Sequence, residues 1–319
     1  MVQEIGIHHP SSLVRAQGLS KHFGATCAVD DLNLEVHSGE IYALMGPDGA
    51  GKTTTMRLLS GILQPDKGSI YLAGISLNDH PNAARAYLGY LAQSFSLYED
   101  LSVLENIRFF AEVRGVRGAD WRDRAYEVLK FVDMEAFSGR LAGALSGGMK
   151  QKLALAVALV HNPRILLLDE PTGGVDPITR QAFWRLITRL LSEGVAVILT
   201  TPYMDEAARC HRVGFLLGGR MVVEGSPADL ASTLEGRTIM LRGSPLRLWA
   251  QKARSLSEVE SVQPFGDNIH LITSQGMLEQ VKKELEMMQD SEGLILDQVE
   301  PVAATLEDAF VSILRQEQS

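Results

Sequence analysis

The sequence predicts an α/β domain built on a mainly parallel sheet, followed by a smaller α+β domain. Three observations carry this prediction. Short apolar runs alternate with helical patterns from Ser12 to about Gly225, as in a sheet whose parallel strands are joined by crossover helices. A glycine-rich loop, residues 46–53, joins one such run to one such pattern. After Gly225-Ser226-Pro227 the order becomes β-α-β-β-α-β, which suggests a ferredoxin-like unit.

Residues 1–11 read as a leader. Strands are expected at 32–36, 41–45, 69–72, 89–91, 165–168, 196–200, 212–217 and 220–224, where apolar and β-branched residues cluster. Helical spacing marks 53–60, 103–113, 121–132, 150–160, 177–192 and 205–209. The turn Ser38-Gly39-Glu40 separates the first two strands. The first domain therefore spans 12–225. A linker, 226–236, holds a helix at 228–234. The accessory domain, 237–319, is expected to contain strand 238–242, helix 245–255, strands 259–264 and 268–273, helix 277–288, strand 294–299 and helix 306–314. No catalytic constellation is visible in it.

The chain has 319 residues, enough for two domains, and an apolar fraction of 45% that suits a full core. Its net charge of -9 argues against a general nucleic-acid partner, because phosphate backbones select basic surfaces. Cys27 and Cys210 lie far apart in sequence and read as free thiols, with a disulfide as the alternative. No run approaches the ~20 apolar residues of a membrane helix. In a membrane process, another chain would supply the span.

The loop Gly46-Pro47-Asp48-Gly49-Ala50-Gly51-Lys52-Thr53 fits the phosphate-binding pattern G-x-x-x-x-G-K-[ST]. Its glycines allow backbone N–H groups to approach a triphosphate. Lys52 can reach the outer phosphates, and the Thr53 hydroxyl can ligate Mg²⁺. A second motif, Ile165-Leu166-Leu167-Leu168-Asp169-Glu170, is an apolar strand ending in two carboxylates. Beside a phosphate loop, Asp169 can support Mg²⁺ and Glu170 can polarise an attacking water. Leu145-Ser146-Gly147-Gly148-Met149 leads into a helix and offers a hydroxyl and N–H groups to an anion; an ordinary helix cap reads the same way.

In order and spacing these motifs resemble the ATP-binding subunits of ABC transporters, over about residues 12–225. On that resemblance the fold is a P-loop NTPase core with a helical subdomain at about 94–150. The ligands implied are ATP and Mg²⁺. Residues 46–53, with Thr54, resemble Walker A, and 165–170 resemble Walker B. Ser146, Gly147 and Gly148 resemble the signature, with Met149 where glutamine is commonest. Gln93 resembles the Q-loop glutamine, which senses Mg²⁺ and the γ-phosphate, and Asp176 the D-loop aspartate. Phe23 sits where an aromatic ring stacks on adenine; a core phenylalanine is the alternative. Met149-Lys150-Gln151-Lys152, Tyr203-Met204-Asp205-Glu206-Ala207 and Leu306-Glu307-Asp308-Ala309-Phe310 narrow the resemblance to ATPases of ABC-2 type exporters. This group implies export of drugs, lipids, polysaccharides or ions through integral-membrane permease subunits. It also implies a head-to-tail dimer with a second ATP-binding subunit and a place on the inner face of the cell membrane. The stretch 94–98 and Leu101 are candidate permease contacts, with core packing equally open for Leu97 and Leu101.

One position departs from the family. Pro202, in Thr200-Thr201-Pro202-Tyr203, stands where the family's switch histidine contacts the γ-phosphate. Proline has neither a side-chain donor nor a backbone N–H. Either hydrolysis proceeds more slowly through Glu170, Lys52 and Mg²⁺, or this core is the weaker half of an asymmetric pair. Pro47-Asp48 and the absent histidine both resemble the first half of tandem exporter ATPases. A translation factor would need two cores and a charged linker. A chromosome ATPase would need a long coiled coil, and only roughly a hundred residues without sustained heptads separate loop and signature. A nucleotide-binding regulator without turnover is supported by Pro202 alone.

Overall fold

In chain order the first unit holds β1 (Ser12–Phe23), β2 (Thr26–His37), β3 (Ile41–Met45), α1 (Lys52–Leu59), β4 (Lys67–Leu72), β5 (Ile75–Ser76), α2 (Pro81–Arg85), β6 (Leu88–Leu91), α3 (Val103–Val113), α4 (Asp120–Phe131), α5 (Gly147–Leu159), β7 (Ile165–Asp169), α6 (Pro177–Ser192), β8 (Ala196–Thr200), α7 (Met204–Ala207), β9 (Arg212–Leu217) and β10 (Arg220–Gly225). The computed structural model describes residues 12–93, 97–116, 118, 120–289 and 294–316. Contacts divide the chain into two units, Met1–Glu224 and Gly225–Ser319. The expected leader, 1–11, lies outside the described residues, as do Ser94, Phe95 and Ser96.

Two sheets form the first unit. The larger has the order β10-β9-β3-β8-β7-β6. Neighbours from β9 through β6 pair in parallel. Every residue of β3, β7 and β8 is buried, as expected for parallel strands covered on both faces. The smaller sheet is antiparallel, with the order β2-β1-β4-β5. One continuous core joins the two: Leu19, Leu32 and Ile70 from the small sheet, Tyr42, Leu167 and Ile198 from the large one, and Met56 and Leu58 from α1. On the other side of the motif order, α3 packs against α4 and α5.

The small sheet extends the sequence reading, which found only 32–36 of β2 and 69–72 of β4 and missed β1 and β5. The hairpin turns at Gly24-Ala25, with Gly24 at φ +59°. Register shifts fall between Ala16 and Leu19 and again between Leu19 and Lys21, around Gly18 at φ +61°. Each bulge moves the inward face by a residue, so no clean period of two runs along β1. Helix α5 begins at Gly147, not at 150, because the Ser146 hydroxyl caps it directly. α7 is shorter than the expected helix 205–209.

The second unit contains α8 (Pro227–Ser232), β11 (Thr238–Ser244), α9 (Leu246–Arg254), β12 (Val259–Phe265), β13 (Asn268–Thr273), α10 (Leu278–Met287), β14 (Ile295–Pro301) and α11 (Leu306–Gln316). Its antiparallel sheet has the order β12-β13-β11-β14. Two helices lie on one face: Trp249 and Ala253 of α9 and Val281 and Leu285 of α10 pack on Ile239, Leu241, Ile269 and Leu271. The alternate residues of β13 face α11, where Ile272 meets Ala309 and His270 bonds Asp308. This is the ferredoxin-like arrangement with two added helices, α8 and α11.

Candidate active site

The parallel strands deliver their carboxyl ends to one edge, the place where open α/β sheets bind ligands. From β3 the chain turns into α1 through Gly46, Gly49 and Gly51, at φ +148°, +78° and +103°. Two of these cannot be replaced. A Cβ on Gly46 would lie 2.2 Å from Leu216 O, and one on Gly51 would lie 2.3 Å from Ala28 O. Buried Ala50 accepts a hydrogen bond from Gly219 N at 3.1 Å, which fixes the loop to the next strand's turn. Lys52, Thr53 and Thr54 form the first turn of α1, so their N–H groups have no intrahelical acceptor and face an incoming anion. The Lys52 ammonium lies within the loop, donating to Gly46 O at 2.9 Å and Pro47 O at 3.0 Å.

Asp169 ends β7 and is 1% exposed. Its Oδ1 accepts from Thr200 Oγ1 at 2.6 Å and from Thr53 Oγ1 at 3.4 Å. Its Oδ2 is buried with no hydrogen-bond partner among the described residues. Glu170 follows at φ +50°, a left-handed turn that directs its side chain away from the strand's course. Gln93 Nε2 donates to Glu170 Oε2 at 2.9 Å. Glu170 N donates to Thr200 Oγ1 at 2.9 Å. The structure thus brings Lys52, Thr53, Gln93, Asp169 and Glu170 to one edge. Beside them, burial and the Asp169 charge push the Tyr90 phenol up to about 12, so it stays neutral.

The signature residues form a separate group. Ser146 caps α5, its hydroxyl accepting from Met149 N at 3.4 Å. A Cβ on Gly148 would meet Thr179 Cγ2 at 2.6 Å, so α5 and α6 touch there, while Gly147 is open. Asp176 caps α6 through Ile178 N and Thr179 N at 3.1 and 3.0 Å. The bonds from Thr179 and the backbone hold its carboxyl below the usual range. Among the described residues, no hydrogen bond or ion pair joins this group to Lys52, Thr53, Asp169 or Glu170. Phe23 is 50% exposed at the tip of the β1–β2 hairpin, with the Lys21 ammonium 5.8 Å from its ring centre. It is not a core residue. Pro202 is exposed just beyond β8.

Sequence reasoning missed two features. The first is the Thr200 hydroxyl, shared between Asp169 and Glu170. The second is a buried knot around Glu206, which is 1% exposed. Glu206 accepts from Thr172 Oγ1 and Thr201 Oγ1, both at 2.6 Å, and from Trp184 Nε1 at 3.3 Å. Arg180 Nε lies 3.6 Å away, and its guanidinium stacks on Tyr203 at 4.1 Å. The only sequence signal was a pair of threonines closing an apolar strand. Cys27 and Cys210 are both free.

A family model described as "ABC transporter" matches residues 29–173. The "Probable multidrug ABC transporter ATP-binding protein YbhF" of Escherichia coli K12 is 38% identical over 310 residues, 95% of this chain and 52% of that protein. The chain therefore spans about half the length of that relative. The "Nod factor export ATP-binding protein I" of Paraburkholderia xenovorans is 39% identical over 225 residues, 70% of this chain and 74% of that protein. Among solved structures, an "ATP binding subunit of ABC transporter" aligns at TM-score 0.64 and 29% identity, covering 69% of this chain and 92% of its own. The dimeric cassette MJ0796 aligns at TM-score 0.62 and 30% identity, covering 67% and 98%. With the loop, the paired carboxylates and the sheet order in place, the chain belongs to the ATP-binding proteins of ABC transporters.

Proposed function

We propose that this chain binds Mg·ATP and hydrolyses it to power export through separate integral-membrane permease subunits. The observation that carries the reading is the convergence of Lys52, Thr53, Gln93, Asp169 and Glu170 on one sheet edge. In this role the loop N–H groups and Lys52 hold the phosphates, and Phe23 stacks on adenine. Mg²⁺ prefers oxygen donors, and the buried, unpartnered Oδ2 of Asp169, on a carboxylate whose Oδ1 accepts from the Thr53 hydroxyl, fits that preference. Thr53, Asp169 and the Gln93 amide oxygen would hold the ion, which supplies charge neutralisation at the phosphates. Glu170 takes the proton of the attacking water. Gln93, bonded to Glu170, ties that carboxylate to the phosphate end.

Ser146, Gly148 and Asp176 act in trans, on ATP held by a second core packed head to tail. Their separation from Lys52 and Glu170 supports this, as do the two capped helix starts that meet at Gly148 and Thr179. The permease docks on the helical subdomain. There Tyr98, Phe109 and Phe110 form an aromatic cluster, with Tyr98–Phe109 centroids 4.8 Å apart and both rings partly exposed. No helix among the described residues is long and apolar enough to cross a membrane, which agrees with a peripheral subunit at the inner face. The second unit, from Gly225, serves as an accessory domain. The names of the relatives, which speak of multidrug transport and Nod factor export, support export of a drug-like or Nod-factor-like cargo.

Glu170→Gln tests the reading. It keeps the hydrogen bond to Gln93 and removes the base, so ATP binding persists while hydrolysis falls to background. Equal hydrolysis by wild type and variant overturns it. Pro202 supports a second reading, in which this core is the slow half of an asymmetric pair. Strong cooperative ATPase activity from the purified chain alone rejects that second reading.

A further inference from the structure

We infer that Thr200 is a positioning residue for ATP hydrolysis, the hinge pin that orients both carboxylates of the site. The inference rests on the reading above of Asp169 and Glu170. Thr200 is the last residue of β8 and is fully buried. Its hydroxyl does two things at once. It donates to Asp169 Oδ1 at 2.6 Å and accepts from Glu170 N at 2.9 Å. The first bond occupies one carboxylate oxygen and leaves Oδ2 buried and free. The second, alongside a longer bond from Glu170 N to Thr200 O at 3.2 Å, anchors the backbone of Glu170 where it turns to φ +50°, a conformation a glutamate holds only when its surroundings fix it. One residue therefore sets the orientation of the cation ligand, through its hydroxyl, and the direction of the base, through its hydroxyl and carbonyl.

Its neighbours do not share this task. The Thr201 hydroxyl is turned to Glu206 Oε2 at 2.6 Å, and Pro202 has no donor to offer. At the end of β8, the polar connection to Asp169 and Glu170 runs through Thr200. Groups that orient a metal ligand without touching the metal are worth about 10–100-fold in metal affinity or activity when removed. Thr200→Val keeps the branched shape and volume of the buried side chain and deletes the hydroxyl. Thr200→Ser keeps the hydroxyl and loses a methyl.

The test uses the full chain and two readouts. Mn²⁺ binding is followed by electron paramagnetic resonance in the presence of ATP, and ATP binding is followed separately in EDTA. For Thr200→Val we expect Mn²⁺ affinity to fall by about 10–100-fold, with metal-free ATP affinity within about twofold of wild type. Turnover at saturating Mg·ATP falls with it, in kcat more than in KM. Thr200→Ser restores both to within a few-fold. Wild-type Mn²⁺ affinity in the valine variant overturns the inference, as does a serine variant as impaired as valine. Glu170→Gln, run in parallel, separates the two claims. Hydrolysis surviving in that variant removes the assignment of Glu170. Loss of hydrolysis there together with normal Mn²⁺ binding in Thr200→Val removes the role of Thr200 alone.

Discussion

Removing the carboxylate of Glu206 should cost more stability than any other single side-chain truncation near the site. Its two oxygens receive three buried donors: the hydroxyls of Thr172 and Thr201 at 2.6 Å and the Trp184 indole at 3.3 Å. Hydrogen bonds to a charged group contribute roughly 1.5–3 kcal/mol each, and they are not additive within one network. Glu206→Ala strands all three donors and leaves Arg180 without its 3.6 Å partner. Breaking a buried, paired charge costs about 3–5 kcal/mol. Against a total of about 5–15 kcal/mol, that is a large share. Glu206→Gln retains one acceptor oxygen, and the Thr201 hydroxyl can rotate to accept from the new amide, so its loss should stay near ~1–2 kcal/mol. Urea unfolding measures the totals, and amide hydrogen exchange locates them. About 3 kcal/mol speeds exchange of residues 201–207 by roughly a hundredfold. An alanine variant within about 1 kcal/mol of wild type, or unchanged exchange at 201–207, refutes the reasoning.

Three further outcomes follow from the same coordinates. His161, whose Nε2 lies 3.0 Å from Leu88 O, is pushed down to about 4, chiefly by burial and then by Arg114. The unfolded chain, near 6.5, then takes up the proton first as pH falls, so this contribution is full above about pH 6.5 and lost between there and about 4. Between pH 7 and 5.5 it removes about 1 kcal/mol, and the unfolding free energies of wild type and His161→Gln from urea titrations should diverge by that amount; parallel pH dependences refute it. Burial and the Glu206 charge push Cys210 up to about 12, whereas Cys27 is half-buried. Maleimide at pH 7.5 should therefore add one adduct to the native protein by intact mass, and two adducts would contradict the burial. Phe23→Ala should weaken ATP binding by about 5–150-fold, the ~1–3 kcal/mol of one base–aromatic stack, with fold stability preserved because the ring is exposed. Unchanged affinity in an equilibrium titration would remove Phe23 from the site.

What was legible in the sequence was local. The phosphate loop declares itself because each glycine answers a local demand, a positive φ or a carbonyl within 2.3 Å of the missing Cβ. β3, β7 and β8 declare themselves because both faces are buried and the apolar run is unbroken. β1 escaped notice because its bulges erase the period-two signal that marks a half-buried strand. The Glu206 knot escaped for a different reason. Thr172, Trp184 and the segment holding Thr201 and Glu206 are three separate stretches of chain, and only the crossover of α6 between β7 and β8 brings them together. No pattern along the sequence reports a contact made by topology.

Pro202 takes its meaning from this knot. A proline at that point removes a donor, yet the segment around it is tightly held. Thr201 is bonded to Glu206, Tyr203 N donates to Thr201 Oγ1 at 3.1 Å, and the Tyr203 ring carries Arg180. A segment that had simply lost its purpose would have no need of a buried carboxylate to fix it. The frame around Pro202 is held while no donor is offered there, so on the proposed reading recognition of ATP and orientation of the carboxylates rest on Lys52, Thr53 and Thr200. The proposed function then predicts that the weakened step is the one that reads the γ-phosphate from β8. On the proposed reading of Pro202 as the mark of a slow half, such a core would close on ATP and turn it over slowly, and the second core would then set more of the transporter's rate.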